Sequence, residues 1–141
     1  MEIEIIPYID DHRDALRQVY LRARLQAFPW LAPATFKFED FDKATEGELI
    51  LIALCENRPA GFVSWWAPEN FVHNLFIDPD YIKKGLGRTL LWECLNRTGK
   101  PARLKCLIDN KNAMEFYQHL GWKLHSKGQS DDGEFALLVF E

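Results

Sequence analysis

The stretch richest in chemistry runs Asp78-Pro-Asp-Tyr-Ile-Lys-Lys-Gly-Leu-Gly-Arg-Thr-Leu-Leu91. Gly85 and Gly87 flank a single residue, Lys83, Lys84 and Arg88 surround them, and an apolar pattern at helical spacing follows. A helix start leaves backbone N–H groups without partners and carries a partial positive charge, so it favours anions. Glycine has no Cβ and lets a ligand come close to the backbone. Only Asp80 opposes the three cations between residues 80 and 91, although the whole chain has a net charge of −4. The local field is therefore positive. The pattern suits a phosphate, but it also suits a tight turn into a helix with solvated cations. For two glycines taken alone, the turn is the favoured reading. Two phosphate loops are excluded: GxxxxGK[ST] is absent, and Leu90 stands where GxGxxG needs its third glycine, with no βαβ unit at the start of the chain.

A second motif changes the balance. Downstream comes "LIDNKNAMEFYQHLGWKL", in which Asn110, Ala113, Phe116, Tyr117, Gly121 and Trp122 follow the pattern N-x-x-A-x-x-F-Y-x-x-x-G-W. The glycine loop followed by this motif resembles the GNAT family of acetyl-CoA-dependent N-acetyltransferases. The family loop, [Q/R]-x-x-G-x-[G/A], reads here Ile82-Lys-Lys-Gly-Leu-Gly87, and "LFIDPDY" looks like the family's fourth strand and its exit. The resemblance is specific from about Asn70 to Trp122, and the order of elements extends it over the chain. One departure stands out: Ile82 replaces the usual Gln or Arg, and Lys83 the usual following Gly.

The resemblance implies an α/β fold: a mixed, mostly antiparallel central sheet of six or seven strands, flanked by about four helices, in a single domain over 1–141. It implies acetyl-CoA as co-substrate. Backbone groups of Leu75, Phe76 and Ile77 would pair with the pantetheine arm. The amides of Lys83, Lys84, Gly85, Leu86, Gly87 and Arg88 would hold the pyrophosphate, and Asn110 would contact the arm. Tyr117 would protonate the departing thiolate as general acid. The acceptor implied is a primary amine of a small molecule or peptide. The alternative is a catalytically weak module that binds CoA as a sensor.

The proton transfers can be weighed. A tyrosine of pKa about 10 giving its proton to a thiolate of pKa about 8.5 moves uphill by roughly 2 kcal/mol, which a hydrogen bond to the developing thiolate partly offsets. A lysine-like amine of pKa about 10.4 is neutral in only about one molecule in 2,500 at pH 7, whereas an α-amino group near 8 needs little help. Glu69 and His73 are the candidate bases near the fourth strand, and a base acting through water is equally open. Strict alternation would place His73 on the strand face of Leu75 and Ile77.

These groups need elements to hold them. Strands are expected over 2–6, 48–56, "FVSWW" at 62–66, 70–78, 102–108, 122–127 and 134–140. The first helix should start at Asp10 or Asp11 as cap and fade before Pro29; "FPWLAPATFKF" reads as a loop or short helix, and "FEDFDKA" as one more turn. Helices follow over 86–97 and after an Asn112 cap, the latter stopped by Gly121, and "GQSDDG" is the last turn. The strand 71–77, the helix 86–97 and the strand 103–108 should form a parallel crossover. Phe28, Trp30, Phe36 and Phe38 fall in the segment that, in the family, walls the acceptor site.

The totals bound the rest. A chain of 141 residues, 48% hydrophobic and 27% charged, suits one globular domain. Cys55, Cys94 and Cys106 are odd in number, widely spaced and set among apolar residues, which suits core thiols rather than disulfides. His12, His73, His119 and His125 lack metal-site spacing, so no metal is expected. The acidic balance argues against nucleic acid, and no apolar run is long enough for a membrane span. The N-terminal residues lack signal-peptide character, which points to the cytoplasm. A homodimer stays open.

Overall fold

The computed structural model describes residues 2–141 of the protein. Eleven regular elements follow in the order β1 (Ile3–Pro7), α1 (Arg13–Ala27), α2 (Asp40–Ala44), β2 (Leu49–Cys55), β3 (Arg58–Trp66), β4 (Phe71–Ile77), α3 (Leu86–Leu95), β5 (Ala102–Leu107), α4 (Lys111–His119), β6 (Lys123–Ser130) and β7 (Gly133–Phe140). The seven strands make one sheet in the order β1-β2-β3-β4-β5-β7-β6. Every neighbouring pair is antiparallel except β4 and β5, which are joined by the expected crossover through α3. The mostly antiparallel seven-stranded sheet with four helices matches the architecture that the resemblance implies.

Local chemistry explains most of the boundaries, and three expectations need correction. Asp10 and Asp11 do not cap α1; they form a single 3-10 turn ahead of it, and Asp10 pairs with Arg13 at 3.0 Å instead. Asn110, not Asn112, caps α4: its Oδ1 accepts from the Ala113 amide at 3.3 Å. The last hairpin turns over Asp131-Asp132 alone, because Ser130 pairs with Gly133 and β6 extends through Gly128. Gly128 belongs in that strand for packing: a Cβ there would lie 2.5 Å from Cζ of Phe135, whose ring covers it. The aromatic segment after α1 forms one 3-10 turn, Pro33–Thr35.

The core lies on both faces of the sheet. On one face α3 buries Leu86, Leu90, Leu91 and Cys94 against Leu51, Val63, Val72 and Leu104, with Phe116 and Tyr117 of α4 packed beside them. On the other, Leu16, Val19 and Tyr20 of α1 and Phe41 of α2 pack on Ile52, Leu54 and Phe62. All three cysteines are buried free thiols. Two irregularities matter for the site. The β3–β4 register shifts between Ser64 and Trp65, which pair with Asn74 and Val72, so His73 is an extra residue in β4. Such a bulge adds one residue to one strand and turns that side chain out of alternation. Further, β4 and β5 pair only at Phe71–Arg103 and Val72–Leu104; beyond that β5 stays with β7, and a gap opens along β4.

Candidate active site

The gap exposes backbone. The amide of Asp78 donates to the Ala60 carbonyl at 2.7 Å, which marks that pair as hydrogen-bonded. Bonded and non-bonded pairs alternate along antiparallel strands. With Phe62 opposite Phe76 and Val63 opposite Leu75, the peptide groups of Phe76 are used by β3. Those of Leu75 and Ile77 point away from β3 into the gap. Of the three strand residues singled out in the sequence, two therefore offer main-chain groups there. Phe76 offers its ring, which lies 5.0 Å from that of Tyr20 on the α1 face.

At the end of β4 the chain enters the glycine loop. Asp78, 6% exposed, accepts from the Asp80 amide at 2.9 Å and pairs with Arg22 of α1 at 3.0 Å. Lys83 and Gly85 are both left-handed, with φ of 63° and 82°. Left-handed residues in such a turn direct successive N–H groups into one concavity, a form that binds anions. Gly85 is the N-cap of α3 and offers no side chain to its first amides, so those of Leu86, Gly87 and Arg88 have no helical partner. The two glycines differ in what they permit. A Cβ on Gly85 would meet nothing within 4 Å, so its glycine character answers the backbone angle. A Cβ on Gly87 would sit at ordinary contact distance from Phe116, 3.6 Å away, so the fold tolerates alanine there. We expect Gly87→Ala to keep its melting temperature within a few degrees while weakening acetyl-CoA binding about tenfold, read by calorimetry, because a methyl group would then stand where a ligand approaches the amides.

Tyr117 comes from α4, below the loop. Its ring packs 5.2 Å from Phe116 and 6.0 Å from Trp122. Its hydroxyl has no protein hydrogen-bond partner among the described residues. Burial pushes its pKa well above the usual tyrosine value, with Cys106 and Cys94 adding to the rise. The same burial raises Cys106 from 9.0 to about 11. A thiol whose folded pKa is raised favours folding fully below its unfolded value, and that share is lost as pH climbs toward the folded value. Stability should therefore fall between pH 9 and about 11 through Cys106, by at most about 1.4 kcal/mol per pH unit. Urea unfolding at pH 8 and 10.5 checks this: Cys106→Ala should lose less stability on the change of pH than the wild type.

These groups share one cavity of about 700 Å³. Leu75, Phe76, Ile77, Lys83, Gly85, Leu86, Gly87, Arg88, Asn110 and Tyr117 line it, whereas Lys84 does not. Ile82 also lines it and is 40% exposed. Ala23, Gln26, Ala27, Pro29 and Trp30 close it from the α1 side, so it reaches both faces of the sheet through the gap. Trp30 lies in the segment that the resemblance made an acceptor wall, whereas Phe28, Phe36 and Phe38 do not line the cavity; the other four stood out in no reading of the sequence. The small residues at 23 and 27, four apart on α1, read as packing until the cavity places them. The segment behind them is held by Arg24, whose guanidinium lies 3.8 Å from the Tyr20 ring centre and 4.8 Å from that of Phe36 and bonds Asp40 at 3.1 Å. Glu69 and His73 do not line the cavity. The bulge moves His73 off the face of Leu75 and Ile77, to the α1 side with Asn74, where Nδ1 meets the Glu48 carboxylate. Among the described residues no group of three or more His, Cys, Asp or Glu could hold a metal ion, and no helix is long and apolar enough to cross a membrane.

Comparison with known proteins gives this geometry its relatives. Residues 11–122 match the Acetyltransferase (GNAT) family. The chain is 34% identical over 85 residues to the uncharacterized N-acetyltransferase MJ1207 of Methanocaldococcus jannaschii, a match covering 50% of this chain and 38% of that protein's length. Solved structures share the fold: apo YjaB of Escherichia coli (TM-score 0.81, 21% identity, 99% of this chain and 98% of that one) and the PaiA N-acetyltransferase of Thermoplasma acidophilum in complex with coenzyme A (0.80, 20%, 98% of each). So does YncA of Salmonella typhimurium, a putative acetyltransferase solved with acetyl-CoA (0.77, 16%, 100% of this chain and 94% of that one). The family match begins just ahead of α1 and ends just past the helix that carries Tyr117, so the segment it covers includes the whole cavity: this chain belongs to the acetyltransferase (GNAT) family.

Proposed function

We propose that the protein transfers the acetyl group of acetyl-CoA to a primary amine of a small molecule or peptide, with Tyr117 as general acid and residues 1–141 acting as one domain. One observation carries the reading: a free strand edge, the unpartnered amides of a helix start and a partner-free tyrosine hydroxyl meet in one cavity. The residues fit the co-substrate. The α3 amides with Lys83 and Arg88 suit its pyrophosphate, and the peptide groups of Leu75 and Ile77 suit an amide-bearing arm laid along β4. Asn110 spends its Oδ1 on the α4 cap, which leaves its amide NH₂ for the arm. Lys84 acts through the field of the loop rather than by contact.

Acetyl-CoA supplies an activated thioester. In the transfer the amide C–N bond forms, the thioester C–S bond breaks, and the amine loses a proton while the sulfur gains one. The gap-facing N–H groups of β4 polarise the carbonyl, a role worth a few kcal/mol. Tyr117 gives its proton to the sulfur. The amine arrives from the α1 side, along a wall that is apolar except for Gln26. Free thiol released from acetyl-CoA over a panel of amines and peptides tests the reading. Amine-dependent release supports it; tight binding of acetyl-CoA with no release for any amine overturns it in favour of a binding module.

A further inference from the structure

The helices cover the two faces of the sheet unequally. On the α3 side the core runs across the sheet to β5 and β7. On the α1 side, α1 and α2 pack on β1 to β4, and no side chain of β5, β7 or β6 joins that core. Alternation then says what the uncovered half presents. In β5 the buried Ala102, Leu104 and Cys106 face α3 and α4, so Arg103 and Lys105 face the other way. In β7 the buried Ala136 and Leu138 leave Phe135, Leu137 and Val139 on the open face, each half-buried. Lys105 Nζ lies 4.8 Å from the Phe135 ring centre, which puts both on that face. Lys123 of the edge strand β6 stands opposite Val139.

An apolar row therefore runs along the middle strand, with a cation-bearing strand on each side. Arg13, Arg17, Arg22, Arg24 and Arg97 each pair with a carboxylate, but Arg103, Lys105 and Lys123 pair with none among the described residues. Glu134 is the one acid in the three strands, and alternation turns it to the α3 side. Asp109, Asp131, Asp132 and Glu141 lie beyond the strand ends. The face also borders the gap. Arg103 stands where β4 and β5 still pair, and Lys105 is the first β5 residue past the last pair, Val72–Leu104.

Three properties narrow the occupant. The cations call for carboxylates, because an interface needs opposite charge where side chains lack partners. From Phe135 to Val139 the apolar row is about 13 Å long, the reach of an extended segment of about four residues and more than a small amine spans. A second copy docked about a two-fold axis would set cations against cations. We propose that this half-sheet holds an acidic polypeptide segment whose amine enters the gap beside Leu75, so that the acceptor is an acidic peptide or protein. The inference rests on the acetyl-transfer reading and narrows its acceptor.

The test uses two short peptides, each with a free N-terminal amine and one lysine, that differ only in a run of glutamates replaced by glutamines. Wild type should favour the glutamate peptide about tenfold in kcat/KM at low salt, and less than about threefold at about 0.5 M salt, where surface charges are screened. Arg103→Glu with Lys105→Glu should abolish that preference, with the glutamine peptide and acetyl-CoA affinity within about twofold of wild type. Arg103→Gln with Lys105→Gln, which should reduce the preference, carries the test if the reversed variant does not fold. No preference in wild type, or an equal loss on both peptides, overturns the proposal and leaves acetyl transfer standing. So does free glutamate acetylated as well as the glutamate peptide, which would mean a small anionic acceptor. A wild-type dimer in sedimentation that the reversed variant breaks would make the face a contact between copies and overturn it too. If no amine releases thiol, the transfer reading fails; fluorescence anisotropy of the labelled glutamate peptide then decides the face alone. Binding lost in the reversed variant upholds the docking surface, and equal binding overturns it.

Discussion

Tyr117→Phe should lower kcat for acetyl transfer about 100- to 1,000-fold while changing acetyl-CoA affinity less than about twofold. The substitution removes one hydroxyl and keeps the ring that packs on Phe116 and Trp122, so the fold around it has no reason to move. Among the described residues that hydroxyl has no protein hydrogen-bond partner, so its loss leaves no orphaned group among them. A positioned acid is typically worth a factor of 10² to 10⁴. Burial raises the tyrosine pKa, which keeps the proton in place across the working pH range. The same raised value makes the proton harder to give up. On the proposed mechanism a thiolate leaving within the same cavity would lose solvation as well, so its own pKa would rise too and the gap between donor and acceptor would stay small. Steady-state thiol release gives kcat, and calorimetry gives the affinity. Wild-type kcat in the variant would remove Tyr117 from the mechanism.

Gly85→Glu should raise the Kd for acetyl-CoA at least about 30-fold. Two effects act here and can be separated. The left-handed backbone at φ 82° penalises any residue with a Cβ, by about 1 kcal/mol, and that appears in stability. The carboxylate stands at the positive end of α3 beside the free amides, where it competes for them and repels a pyrophosphate; that appears in binding, at about 1.4 kcal/mol for each factor of ten. No clash confuses the result, because a Cβ at Gly85 meets nothing within 4 Å. Gly85→Asn is the control: asparagine tolerates the left-handed angle and is neutral, so it should retain most of the affinity. Unchanged binding in Gly85→Glu would make the loop a turn and nothing more.

Much of this was legible in the chain because it is local. The order of elements follows from periodicity, and the crossover through α3 follows from its two flanking strands. The loop's chemistry follows from Gly85, Gly87 and their cations, and the second motif ties Tyr117 to that loop. The errors were also instructive. Asn112 is as good a cap by type as Asn110, and only the path of the backbone into α4 decides between them. Alternation put His73 with Leu75 and Ile77, and one inserted residue reversed its face. No propensity announces a bulge whose cause is the fit of β4 against β3. The hairpin at Asp131-Asp132 was drawn too wide because Gly128 reads as turn chemistry until the Phe135 ring is seen to cover it.

By itself, then, the sequence determined the order of strands and helices, the glycine-rich cationic start of α3 and the resemblance that joins it to Tyr117. The elements and the loop depend on residues near one another along the chain, and the resemblance on the order of two local motifs. The tertiary structure decided which peptide groups of β4 are free, that Ala23, Gln26 and Ala27 wall the same cavity, and that Glu48 meets His73. Those facts depend on strand register and on where β4 and β5 part, and register is set by packing between elements distant in sequence rather than by any one segment.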